Sequence, residues 1–218
     1  MWTSLKILFS NKKGAMAMVE EEVCNSLVSC MNVIIDHLNV TVKRLNRGDV
    51  EKMIHYIQNA DRIFVMGAGR SGLAAKAFAM RLMHIGFNVF VVGESITPSV
   101  KKDDLIIAVS GSGETLSIND LAKVSKDIGS TLAVITSNPK STLGQLADTL
   151  VTVKGRTKVD AEEDYMERQL RGDYVSLAPL GTIFETTSLI VLDGIIAELI
   201  SRRGTTDAEI KSRHATLE

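Results

Sequence analysis

Ile63-Phe64-Val65-Met66-Gly67-Ala68-Gly69-Arg70-Ser71-Gly72 is the stretch on which the fold turns. A short apolar run, mostly β-branched or aromatic, stops at a glycine-rich turn, and a segment rich in alanine and methionine follows to about Ile85. The order is strand, glycine loop, helix. It recurs where Leu105–Val109 runs into Ser110-Gly111-Ser112-Gly113-Glu114-Thr115 and a helix to about Ile128. Val89–Val92, Thr131–Thr136 and Thr149–Val153 read as three more strands, with a short helix near Ser141–Leu146. Five apolar strands alternating with helices require a parallel sheet covered on both faces. Right-handed crossovers make that a doubly wound α/β sandwich. With a flavodoxin-like strand order, 2-1-3-4-5, the turns after the first and third strands meet at the topological switch point, where open α/β sheets bind ligands.

Outward from this centre the pattern changes. From about Glu20 to Leu45, Val23, Leu27, Met31, Ile34, Ile35, Leu38, Val42 and Leu45 recur at helical spacing and predict a long amphipathic helix, packed on the core or on a partner. Gly48 is expected to break it and Asp49 to cap a second helix through Val50, Met53, Ile54 and Ile57. The charge-rich segment Gly155–Asp173 reads as a solvated loop, with Lys158 and Arg168 on it. A last helix is expected to begin near Pro179 and run to about Arg202, apolar nearly all round and so buried. Residues 1–17 read as an extension, 18–204 as a single domain including the N-terminal helices, and 205–218 as a polar tail.

Composition narrows the function classes. The chain has 218 residues, 45% hydrophobic and 23% charged, which suits one folded domain of the larger kind. Its 25 basic and 26 acidic residues leave no basic excess for neutralising a phosphate backbone, so nucleic acid is not an expected partner. Cys24 and Cys30 cannot form a disulfide framework, and this usage suits a reducing cytoplasm. The apolar core of the first residues, Ile7-Leu8-Phe9, is too short for a secretory signal. The most apolar stretch, Leu189–Ile200, is interrupted by Asp193, Gly194 and Glu198, so no membrane span is expected.

Two readings of the glycine loops compete. Gly67-x-Gly69-x-x-Gly72, with Glu94 22 residues beyond, formally satisfies the dinucleotide fingerprint and keeps a nucleotide-dependent oxidoreductase as one alternative. Such an enzyme has no need of a serine-rich second loop and usually carries a substrate domain that this length cannot house. A Walker loop fails because Leu73-Ala74 replaces the Lys-Ser/Thr pair. The loops share glycines, backbone N–H groups and hydroxyls at a helix start. Gly69, Arg70 and Ser71 in the first, with Ser110, Gly111, Ser112, Gly113 and Thr115 in the second, are therefore expected to bind a phosphomonoester.

Ser110–Thr115 after an apolar strand, with Gly67–Gly72 before it, resembles the sugar isomerase (SIS) domain family of phosphosugar binders. Within it, Arg168-Gln169, Ser176-Leu177-Ala178-Pro179-Leu180-Gly181-Thr182, Phe184-Glu185 and Arg213-His214-Ala215-x-Leu217-Glu218 resemble the 6-phospho-3-hexuloisomerases, over about residues 20–218. Thr216 departs from the asparagine of that pattern. The resemblance implies a keto–keto isomerase interconverting D-arabino-3-hexulose 6-phosphate and fructose 6-phosphate in formaldehyde fixation by the ribulose monophosphate pathway. No metal or redox cofactor is implied. It makes Glu185, in the first turns of an apolar helix, the expected base. Glu114 competes for that role but reads better as a first-turn residue serving its helix or a subunit interface. His37, His55 and His84 read as structural or surface side chains.

SIS isomerases commonly complete a site from a neighbouring subunit, so His214 is expected to reach a partner's pocket and assist ring opening or oxygen-to-oxygen proton transfer. A homo-oligomer built as a dimer of dimers, and functional coupling to a hexulose-phosphate synthase, are further implications. Other SIS phosphosugar isomerases, such as arabinose-5-phosphate isomerase, and a non-catalytic phosphosugar sensor stay open as alternatives.

Overall fold

The computed structural model describes residues 24–155, 178–214 and 216. Five strands form the sheet: β1 Ile63–Gly67, β2 Val89–Val91, β3 Leu105–Val109, β4 Thr131–Thr136 and β5 Thr149–Thr152. All pairings are parallel, as the alternation of strands and helices predicts, and the order is β2-β1-β3-β4-β5, the expected flavodoxin-like one. β1 and β3 pair along their full lengths, from Ile63 with Leu105 to Gly67 with Val109, so both glycine loops leave the sheet at the same edge.

Side-chain alternation divides the core in two. Ile63, Val65, Leu105, Ile107, Val109, Ala133 and Ile135 face one side, covered by α2 (Arg47–Asn59), α3 (Gly69–His84) and α6 (Thr182–Arg203). Phe64, Met66, Ile106, Ala108, Leu132 and Val134 face the other, against α4 (Leu116–Ile128) and α5 (Thr142–Leu146). At the edge away from the loops Arg62 donates to both oxygens of Asp104, a carboxylate 5% exposed that also accepts the Lys101 N–H, and this ties the starts of β1 and β3 together.

Several element boundaries differ from expectation. The first helix, α1, spans Asn25–Arg44, and Gly48 does not break it: Gly48 lies inside α2, whose cap is the Asn46 side chain accepting from the Gly48 and Asp49 N–H groups. The carboxamide oxygen of asparagine accepts these N–H groups as an aspartate carboxylate would, three residues before the aspartate at 49. α6 begins at Thr182 rather than Pro179, after Gly181. The tail beyond Gly204 contains a further helix, α7 (Asp207–Ser212), closed by a reciprocal Thr206–Glu209 capping box. The extension 1–17, the charged segment with Lys158 and Arg168, Ser176-Leu177 and the last residues of the C-terminal motif lie outside the described residues. Among the described residues, no helix is long and apolar enough to cross a membrane.

Candidate active site

The three fingerprint glycines of the first loop have two different tasks. A Cβ on Gly67 would lie 2.9 Å from the Val109 carbonyl oxygen, and one on Gly72 2.6 Å from the Gly67 carbonyl oxygen, so these two allow β1, β3 and α3 to pack backbone to backbone. Around Gly69 nothing lies within 4 Å of the Cβ position, which leaves open space at the start of α3. The fingerprint spacing thus has a packing cause that needs no dinucleotide.

The second loop is held from behind. The Gly111 carbonyl accepts the Ser137 N–H at 3.0 Å, the Ser137 hydroxyl at 2.8 Å and the Thr136 hydroxyl at 3.1 Å. In a planar trans peptide the Ser112 N–H then points the opposite way, toward the cavity the loop lines. Ser110 Oγ and Thr115 Oγ1 lie 3.4 Å apart, sharing a hydrogen bond across the loop mouth. Glu114 departs from the first-turn role: its carboxylate turns outward to accept the Thr142 N–H at 2.9 Å and hydroxyl at 2.8 Å, fastening the loop to α5.

The third wall comes from the start of α6. Gly181 adopts φ 87°, and its carbonyl accepts the Glu185 N–H at 3.0 Å. The Glu185 carboxylate folds back over Gly181, with Oε1 3.0 Å from where a Cβ would stand, while Oε2 accepts the Nε–H of Arg70. A cavity of about 390 Å³ unites the three walls. Gly69, Arg70, Ser71, Ser110, Gly111, Ser112, Thr115 and Glu185, all expected from the sequence, line it together. Leu180, Gly181 and Phe184 line it as well, although sequence reasoning gave them no role. The signal was the glycine four residues before Glu185, hidden by placing the helix start at Pro179.

The N-termini of α3, α4 and α6 converge on this cavity, so their free N–H groups and aligned peptide dipoles give it a positive potential. Three such termini, with hydroxyls and one arginine, make an anion site without a large formal charge. Among the described residues no three His, Cys, Asp or Glu side chains are grouped as metal ligands. A larger cavity of about 560 Å³ lies between α1, α2 and α6, but its walls are mainly aliphatic, and of its two arginines, Arg47 and Arg202, the second is held by Glu51 and Glu198.

Two expected site residues lie elsewhere. Gly113 does not line the cavity; it packs behind the loop against Ser141 and Thr136, and its carbonyl accepts the Leu143 N–H. His214 stacks on His84 with ring centroids 3.9 Å apart, beside Arg213, which donates to the His84 carbonyl. His84 ends the 16-residue helix that Gly69 opens, whose ends lie roughly 22 Å apart at 1.5 Å per residue. His214 therefore does not reach the cavity of its own chain.

The family model described as SIS domain matches residues 56–163. The 3-hexulose-6-phosphate isomerase of Bacillus subtilis is 37% identical, over 85% of this chain and 95% of that protein. That of Methylomonas aminofaciens is 36% identical, over 85% and 97%. Among solved structures, a hypothetical protein from Methanococcus jannaschii, for which a molecular function of 3-hexulose-6-phosphate isomerase has been inferred, superposes with a TM-score of 0.70 at 35% identity, over 88% of this chain and 98% of that one. At these identities and coverages the chain belongs to the SIS domain family, among its 3-hexulose-6-phosphate isomerases.

Proposed function

We propose that this enzyme interconverts D-arabino-3-hexulose 6-phosphate and D-fructose 6-phosphate through a cis-enediolate, with Glu185 as the base. The observation that carries the reading is the convergence of both serine–glycine loops and Glu185 on one cavity. The phosphate is assigned to the Ser110–Thr115 turn and the start of α3, where N–H groups and hydroxyls can wrap its oxygens. The sugar then extends toward α6, between the Glu185 carboxylate and the apolar wall of Leu180 and Phe184.

The chemistry follows from the positions of the two carbonyls. The base removes the proton from C2, the electron pair forms the C2–C3 double bond, and the C3 carbonyl oxygen becomes an enediolate oxygen. Return of the proton to C3, with proton transfer between the two oxygens, leaves the carbonyl at C2. One carbon is oxidised and its neighbour reduced, so the electrons balance within the substrate. A single carboxylate over one face of the sugar serves both carbon transfers. The neighbouring helix termini stabilise the enediolate charge as it develops.

The domain limits proposed are 18–204 for the SIS unit, with 205–218 donated to a shared site in a homotetramer. Cytoplasmic location and coupling to a hexulose-phosphate synthase complete the reading. A coupled assay supplying formaldehyde, ribulose 5-phosphate and a synthase should yield fructose 6-phosphate only when this protein is present. Glu185→Gln is expected to lower turnover by about 10²–10⁴-fold while fructose 6-phosphate still binds by calorimetry. Undiminished turnover in that variant removes Glu185 from the mechanism, and binding without turnover in the wild type favours a phosphosugar sensor instead.

A further inference from the structure

Glu185 is already engaged by another side chain. Its Oε2 accepts the Arg70 Nε–H and its Oε1 lies back over Gly181, at the start of its own helix. A carboxylate oxygen that already accepts an arginine N–H cannot take a carbon-bound proton along the same direction. Arg70 stands in the first turn of α3 with its side chain 59% exposed, against 17% for that of Glu185. Among the described residues it is the one cation lining the cavity, which it shares with the Ser110 and Ser112 hydroxyls and the α3 and α4 termini. An anion drawn to those termini therefore arrives beside a guanidinium already committed to another anion. The planar fork of arginine fits phosphate as well as carboxylate, and a phosphomonoester carries more charge than one carboxylate.

We propose that Arg70 is a latch exchanged between two anions: before phosphate binds it holds Glu185 back over Gly181, and when the substrate phosphate binds it swings to the phosphate and releases Glu185 toward the sugar. The proposal rests on the isomerase reading for the purpose of the release, but the exchange itself is a property of anion binding. It also supplies a specificity device. A sugar that fits the cavity but lacks the phosphate leaves the latch closed, so binding energy from the non-reacting end of the substrate is used to set the base.

The test is a double-mutant cycle read by calorimetric titration with inorganic phosphate, using the full chain as wild type, Arg70→Met, Glu185→Gln and the double variant. Thermal melts establish that each is folded. Because Glu185 competes for Arg70, Glu185→Gln should bind phosphate about fivefold tighter than wild type, and Arg70→Met about tenfold more weakly. On the Arg70→Met background, Glu185→Gln should add less than about twofold. Arg70→Lys, which keeps the charge without the fork, should show the same sign with a smaller coupling.

An equal gain from Glu185→Gln on both backgrounds overturns the proposal, since it is then simple removal of a like charge. Unchanged or weaker phosphate binding by Glu185→Gln, or no saturable phosphate binding by any variant, overturns it too. Coupling without turnover of the hexulose phosphate leaves the latch and removes the isomerase reading; turnover without coupling does the reverse.

Discussion

A methyl carbon added at Gly113 would stand 1.9 Å from Ser141 Oγ and 3.2 Å from Thr136 Oγ1, on a backbone with φ 68° that side chains other than glycine rarely adopt. Gly113 therefore shapes the Ser110–Thr115 loop without facing the cavity. Gly113→Ala is expected to cost about 1–3 kcal/mol in urea denaturation, from strain and overpacking combined, and to weaken fructose 6-phosphate binding measured by calorimetry. Unchanged stability would mean that Ser141 gives way more easily than its helix cap, which accepts the Gly144 N–H, allows. The sequence made this loop legible as an anion site but treated its glycines as equivalent. Spacing along a chain does not distinguish a glycine facing open cavity, such as Gly69, from one packed against neighbouring backbone, such as Gly67 or Gly72, or against side chains, such as Gly113. Glu185 was singled out because the family-like block ends on it in the first turns of a largely apolar helix, whereas its contact with Arg70, 115 positions away in sequence, follows only from the fold.

At the scale of elements, the strands were legible almost residue by residue, since short β-branched runs bounded by glycine, serine and asparagine leave little freedom. Not every helix start was. α6 is apolar nearly all round, so its pattern carries no phase, and Pro179 was a plausible but wrong first residue three positions before the actual start at Thr182. α7 escaped because six residues are too few for periodicity, although Thr206-x-x-Glu209 is a capping-box sequence that marks its beginning. That cap has a pH signature. Hydrogen bonds from the Thr206 backbone and then its hydroxyl hold the Glu209 carboxyl below the usual carboxylate range. A group whose folded value is depressed stabilises the fold above its unfolded value, about 4.3 for glutamate, and that contribution is lost as pH falls through the folded value. Amide protection within α7 should therefore decline below about pH 4 in the wild type. Glu209→Gln should start lower and lose this part of the pH dependence, and an identical pH profile in both proteins would exclude the cap as its source.

For the whole molecule, two features of the isolated chain point beyond it. No residue of α1 is buried, and Leu27, Val28, Met31, Ile35 and Val42 are all at least half exposed along its 20 residues. An apolar stripe of this size fits a contact surface, and the proposed homo-oligomer would give α1 the burial it lacks in the single chain. His214, meanwhile, sits on His84 at the end of α3 opposite the cavity. The apolar face of α1 points to a partner by pattern alone, whereas the donation of the tail to a neighbouring pocket rests on resemblance, since a sequence records no path for its tail. The shared-site reading makes a prediction that no single variant tests. Glu185→Gln and His214→Ala should each be inactive alone. If His214 serves a neighbouring chain, exchanging subunits between the two at equal amounts creates pockets with Glu185 from one chain and His214 from another. Random pairing with one donor per pocket restores about a quarter of the wild-type pockets. Recovery in the coupled assay that follows subunit exchange, and not simple mixing, would establish donation across the interface. An active His214→Ala variant would leave the histidine without a catalytic role. Two inactive variants that never complement after demonstrated exchange would confine His214 to its own chain, where the length of α3 keeps it from the base.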